Sequence, residues 1–228
     1  MFCKGLIHLN SLLSKIVLII SLITWSGVTF GSEDASSILD KLARRYNHLE
    51  SLVADFTQSF ESQALGKGIE EEGVLYVKIP GMMRWDYLNP EKKLAICNGS
   101  DTWLYLEEDN TVIKGRLDPS KGNIAILSLL SGRADLNEIF QGEVLSEQEE
   151  EIRVKMWLKQ SSDDFDYLIM TIGRKRSLIA QIEIIDPIGN KMIYSFSNLR
   201  ENVPVDSQLF YFSVPPNARI KFEASAFE

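Results

Sequence analysis

The sequence predicts a mainly β protein with a few helices (α+β), built on one long antiparallel sheet. Three observations carry that prediction. Apolar and polar residues alternate at period two in short runs between Val53 and Val214. Turn-forming pairs such as Pro80-Gly81 and Asn98-Gly99 punctuate the runs, and strand–helix–strand alternation is absent. The runs number about eleven or twelve, so a single sheet of them has to curl or close.

In chain order, residues 1–31 read as a cleaved signal peptide. Lys4 and Lys15 supply a basic n-region, and Ile16–Ile23 is an apolar core short of the ~20 residues a membrane span needs. Thr29 and Gly31 place small residues before a cleavage point at Ser32, with an uncleaved anchor as the alternative. No cysteine follows the apolar core, so the mature chain is expected to carry no lipid. Residues 32–228 are then expected to form a single domain, long enough for a full core.

Ser36 or Ser37 is a candidate cap for a helix to about Leu49, with Ile38, Leu42, Tyr46 and Leu49 at helical spacing. Strands are predicted over Val53–Ser62, Ile69–Ile79, Met82–Leu88 and Leu94–Cys97. Asn98-Gly99 is the signature of a tight type I′ hairpin turn, and with Ser100 it also spells a glycosylation sequon. Trp103–Leu106 and Thr111–Arg116 complete a meander. Ile124–Leu130, bounded by Pro119, Gly122 and Gly132, reads as a short helix, and Leu136–Phe140 as another turn of helix. Strands resume at Gln141–Leu145, Ile152–Leu158, Tyr167–Gly173, Ile179–Asp186, Met192–Ser197 and Leu209–Val214. The acidic run Glu147–Glu151 and the pair Asp163-Asp164 fall at turns.

Composition excludes much chemistry. The whole chain carries a net charge of −8, and removing the leader with Lys4 and Lys15 takes the mature chain to −10. Such a chain suits neither nucleic acid nor an anionic membrane. Past the leader there is one cysteine, Cys97, and one histidine, His48. No disulfide can form within the mature chain, and a Ser-His-Asp triad would have to use a histidine at the end of a helix, where a cation answers the helix dipole. No metal site and no cofactor is indicated, because one His and one Cys cannot supply a ligand set. A nucleophile elbow, a P-loop and a C-x-x-C are all absent. A glycosidase-type carboxylate pair is conceivable from the count of acids, yet nothing singles one out.

The most informative stretch is Gly73–Tyr87. Its second strand places Met83, Trp85 and Tyr87 on one face. So large an apolar face must be covered, either by the protein's own core or by a greasy ligand such as an acyl chain. The residues alone leave both open.

Four segments in order resemble the LolA family, the periplasmic carriers of outer-membrane lipoproteins. They are Asp55-Phe56-Thr57-Gln58, then Gly73–Lys78 with Pro80–Tyr87, then Asn98-Gly99 with Trp103 and Tyr105, and last Asp206 with Phe210–Pro215. The resemblance implies an unclosed antiparallel β-barrel of about eleven strands with an α-helical lid, and no catalysis. It implies acylated lipoproteins as cargo, received from an inner-membrane ABC-type complex and delivered to an outer-membrane receptor. The carrier would act as a monomer in the periplasm. By match to the family motif, Leu75, Val77 and Ile79 face inward on one strand and Met83, Trp85 and Tyr87 on the next. Phe56, Phe60, Trp103 and Tyr105 join them by strand parity alone. Leu39, Leu42, Leu127 and Leu130 are the expected lid residues. One position departs from the family pattern. The arginine that precedes the proline and holds the lid is Ile79 here, so closure would rest on apolar packing. A periplasmic carrier or sensor of another lipid on the same fold is the alternative, and a hydrolase the remoter one.

Overall fold

The computed structural model describes residues 34–99, 101–116, 130, 136–160 and 165–222. The signal peptide and the segment Ile124–Leu130, apart from Leu130 itself, lie outside the described residues.

Helix α1 spans Ala35–Asn47, and its cap is Asp34 rather than Ser36 or Ser37. The Asp34 carboxylate accepts from the Ser37 N–H at 2.7 Å, and a negative cap also complements the helix dipole. The two serines therefore sit inside the first turn. His48 closes the helix, and the chain enters the sheet at once.

The strands are β1 (Ser51–Ser62), β2 (Gly66–Lys78), β3 (Met82–Asn89), β4 (Lys93–Asn98), β5 (Asp101–Leu106) and β6 (Thr111–Arg116). After a short helix, α2 (Leu136–Ile139), come β7 (Phe140–Glu147), β8 (Glu151–Leu158), β9 (Tyr167–Gly173), β10 (Leu178–Ile185), β11 (Lys191–Glu201) and β12 (Arg219–Phe222). They form one twelve-stranded unclosed sheet in the order β12-β6-β5-β4-β3-β2-β1-β11-β10-β9-β8-β7. Two antiparallel meanders thus meet along β1 and β11, and the sheet ends at β12 on one side and β7 on the other.

Three sequence expectations are corrected. The β4–β5 turn begins one residue later than Asn98-Gly99 suggests: Asn98 ends β4, and Gly99 takes φ of +115°, a conformation that favours glycine. Strand β11 runs four residues past Ser197, because Asn198 at φ +50° makes a bulge against β1 rather than a stop. Its side chain donates to the Asp55 carboxylate at 2.7 Å. Leu209–Val214 is not a strand. Asp206 caps a 3-10 turn, Ser207–Phe210, and the chain continues as an extended strap. The last strand is β12, and it pairs with β6 in parallel. An extended strap lying on a surface alternates at period two just as a strand does, so the pattern cannot tell them apart.

The strap covers the outer face of the first meander. The Ser51 hydroxyl donates to the Val203 carbonyl at 2.6 Å, and the Arg84 guanidinium to the Leu209 carbonyl at 3.0 Å. Phe210 is fully buried, and the Phe212 ring lies 6.5 Å from that of Trp103 and 6.0 Å from that of Tyr105. The main core lies on the opposite face. There α1 packs on β7, β10 and α2, and its Ile38, Leu39, Leu42 and Tyr46 join one continuous cluster with residues of both meanders.

Candidate functional site

Register decides which side chains share the inner face. Leu75 stands opposite Trp85, and Val77 opposite Met83. Across β4, Trp85 meets Ala95 and Met83 meets Cys97. On the other side, Phe56 stands opposite Gly73 of β2 and Phe196 of β11. The inner face therefore runs unbroken from β5 through β1 into β11.

Its centre is a set of interlocked rings. Phe56 meets Trp85 edge-on at 4.9 Å and Tyr87 edge-on at 5.0 Å, and Trp85 meets Tyr194 at 5.6 Å. Such geometry sets the positive ring edge against the negative face of the neighbour. Leu75, Val77, Met83 and Trp85 are buried, and Tyr87 is half-buried. Ile79 packs half-buried at one rim, with its N–H donating to the Glu50 carbonyl at 3.0 Å. Phe60 has the parity of Phe56 but lies toward the β1–β2 hairpin and is 40% exposed.

Trp103 and Tyr105 are on the other face. Trp103 pairs with Ile96 and Tyr105 with Leu94, so their parity is opposite to that of Ala95 and Cys97. Parity counted along one strand gives two sets of residues but not which set faces inward. The inner residues of β5 are Thr102 and Leu104.

Of the expected lid residues, Leu39, Leu42 and Leu130 are buried against the inner face. Leu127 lies outside the described residues. Tyr46 ties the helix to the sheet by accepting from the Ile179 N–H at 3.2 Å. Between α1 and the sheet lies a cavity of about 170 Å³. Ile38, Leu42, Ile152 and Ile172 line it, with Lys41 and Arg174 among its other residues.

Half of the face goes unassigned by the sequence reading. Val154 and Met156 of β8, Met170 of β9, Ile182 of β10, and Tyr194 and Phe196 of β11 complete it. The alternation of Ile152, Val154 and Met156 against Leu168, Met170 and Ile172 is the signal that could have found it.

Toward the hairpin end the face becomes polar. The Tyr87 hydroxyl donates to Gln58 Oε1 at 2.7 Å. Lys93 forms an ion pair with Glu71 and lies over the Tyr87 ring, 4.9 Å from its centre. Burial, with the nearby Glu71 charge adding to it, pushes the Tyr194 hydroxyl up to about 12. Burial is also the leading cause that raises Tyr46 and Tyr87. These hydroxyls stay neutral across the physiological range, and those of Tyr46 and Tyr87 act as hydrogen-bonding groups.

That shift fixes an alkaline limit. A raised tyrosine pKa leaves stability fully present below the ordinary value of 10 and removes it as pH climbs toward the folded value. The loss is about 1.4 kcal/mol per pH unit for each such tyrosine. Unfolding followed by circular dichroism should therefore set in as pH rises past 10. Tyr46→Phe should weaken that dependence and lower stability at pH 7 by about 1–3 kcal/mol, since the buried Ile179 N–H loses its acceptor. An unchanged alkaline midpoint in this variant would remove Tyr46 from the explanation.

The family model described as "Outer membrane lipoprotein carrier protein LolA" matches residues 47–213. An outer-membrane lipoprotein carrier protein of Methylococcus capsulatus is 28% identical over 201 residues, covering 88% of this chain and 94% of that protein. One from Pseudomonas aeruginosa is 26% identical over 194 residues, covering 85% of this chain and 92% of that protein. Among solved structures, an uncharacterized conserved protein from Thermus thermophilus superposes with a TM-score of 0.52 at 14% identity. The match covers 83% of this chain and 99% of that one, and it shows the shared fold alone.

Proposed function

The chain belongs to the LolA family of outer membrane lipoprotein carrier proteins, and we propose on that premise that it carries acylated lipoproteins through the periplasm. The cargo would come from an ABC-type complex of the inner membrane and go to a receptor at the outer membrane. One observation supports this most: an apolar inner face spanning both meanders, with a helix packed on its second meander and a cavity between that helix and strands β8 and β9. Acyl chains need an apolar lining and a way to open, with little polar chemistry. Each buried methylene contributes ~0.8 kcal/mol, so one long chain supplies on the order of ten kcal/mol. That is enough to offset opening of a lid held by packing.

The helix is the moving part in this reading, on physical grounds. It touches β7, β10 and α2, whereas the rings at the centre of the face belong to strands with full ladders on both sides. Ile38, Leu39 and Leu42 then exchange contacts with the sheet for contacts with acyl chains. The reading assigns no catalytic residue and no cofactor, and the carrier works as a monomer.

The test is direct. Inner-membrane vesicles bearing a labelled lipoprotein and its transporter are incubated with the purified exported protein and ATP. Label should move into a soluble one-to-one complex, and only with ATP. Label that stays on the membrane while the protein is folded would reject lipoprotein as the cargo.

A further inference from the structure

Two polar groups on the inner face are left over by the packing. The Trp85 indole N–H and the Thr102 hydroxyl are buried and have no hydrogen-bond partner among the described residues. Trp85 is 4% exposed and Thr102 fully buried. A buried donor without a partner is costly, and native proteins hold few of them without a reason. Among the described residues, neither polar atom makes a hydrogen bond that holds the fold. Phenylalanine would supply a ring at Trp85, and valine has the shape of Thr102.

Their placement suggests the reason. Trp85 of β3 stands opposite Ala95 of β4, and Thr102 of β5 stands opposite Cys97. Ala95 and Cys97 are the inner residues of the strand between them, and both are small and buried. Met83 and Leu104 complete the frame, opposite Cys97 and Ala95 respectively. Two hydrogen-bond donors thus flank a strip of small side chains in an otherwise apolar frame. A pure hydrocarbon would leave both donors unsatisfied. A carboxylic ester, with a carbonyl oxygen that only accepts, would satisfy them.

We infer that Trp85 and Thr102 bind the carbonyl oxygens of ester-linked acyl groups on the inner face. The inference rests on the carrier reading and sharpens it. The face recognises the ester head of an acyl chain as well as its hydrocarbon. In the closed protein the two donors are stranded, and that cost favours ligand entry. The residues act as specificity determinants, since hydrocarbon burial alone does not tell an acyl ester from an alkyl ether.

The experiment compares a synthetic diacyl lipopeptide having ester-linked chains with its ether-linked counterpart. A diacyl phospholipid and its dialkyl ether form, of the same chain length, make the second arm. Binding is measured to the purified exported protein, to Thr102→Val, and to protein with benzothienylalanine at position 85, which keeps the bicyclic ring and lacks the N–H. The wild type should prefer esters by about 25-fold, about fivefold for each of the two hydrogen bonds. Each variant should bring the ratio toward one while melting at the same or a higher temperature, because a stranded polar group has been removed. The arm that binds identifies the source of the ester, lipoprotein or phospholipid. A wild type that binds both forms equally overturns the inference and leaves the carrier reading standing. Variants that gain stability but keep the ester preference overturn it too, and assign the two groups a purely structural part. Failure of the wild type to bind any of the four probes sinks the inference and the carrier reading together.

Discussion

Met83→Glu is expected to abolish lipoprotein uptake while the protein remains folded. Met83 has no exposure at all and sits on the inner face between Val77 and Cys97. A carboxylate there has no cationic partner on the neighbouring strands' inward positions, which carry Leu75, Val77, Ala95 and Cys97. Burying the charge unpaired would cost several kcal/mol, so the glutamate either becomes protonated or draws water into the site. Both outcomes spoil a lining for acyl chains. The melting temperature should fall by about 10 °C, the shift that several kcal/mol produces in a domain of this size. Met83→Leu keeps volume and polarity and should leave uptake near wild type. Transfer from vesicles and thermal melting, measured together, separate the alternatives. Normal uptake by Met83→Glu would remove this position from the acyl site. Complete loss of folding would say that the face is an ordinary filled core.

Gly73→Ala is expected to be the most damaging small substitution in the sheet. An added Cβ would lie 2.0 Å from the Asp86 carbonyl oxygen and 2.7 Å from the Phe56 ring. The first contact is with the backbone of the paired strand β3, so no rotamer change relieves it. The second is with the ring at the centre of the aromatic cluster, which lies across Gly73 in place of a side chain. Overlap of this kind belongs to the severe tail of point substitutions, at about 4 kcal/mol or more. Because Gly73 pairs with Tyr87, the strain should also displace the Tyr87–Gln58 hydrogen bond and weaken cargo binding. Gly66→Ala is the control. Gly66 has φ of +80° and open space around its Cβ position, so it loses only the conformational preference of glycine, about 1 kcal/mol. Denaturant melts of the two variants should differ widely. Equal and small losses in both would mean that β2 and β3 can separate locally without cost.

Most of the fold is legible in the sequence because alternation and helical spacing are local. Strands β2, β3, β5, β6, β8 and β9 follow runs that can be read from a few neighbours, and Ile38, Leu42 and Tyr46 mark the buried stripe of α1. Leu75, Val77, Met83 and Trp85 can be placed on one face because a tight turn at Pro80-Gly81 couples their strands. The family resemblance then supplies which face is inside.

Local pattern fails where the answer depends on distant partners. Trp103 and Tyr105 look like the richest lining residues of β5, yet they face outward, where Phe212, about a hundred positions later, folds back against them. The outer face therefore has an apolar patch of its own, and apolarity no longer marks the inside. Leu209–Val214 resembles a strand for the same reason, since a strap and a strand bury alternate residues alike. Tyr194 and Phe196 join the ring cluster through the pairing of β1 with β11, a contact between residues about 140 apart, which no local pattern encodes.

The sequence by itself determined the class of structure and the strands' two-faced character. It also determined the shortage of reactive groups that turns attention from catalysis to binding. Only the tertiary structure decided which face of β5 is the inner one, how the meanders join, and that Trp85 and Thr102 end up buried on either side of β4 with nothing among the described residues to bond. Period two divides a strand into two sets of side chains. Inside and outside are properties of the whole sheet, fixed when register, helix and strap come together.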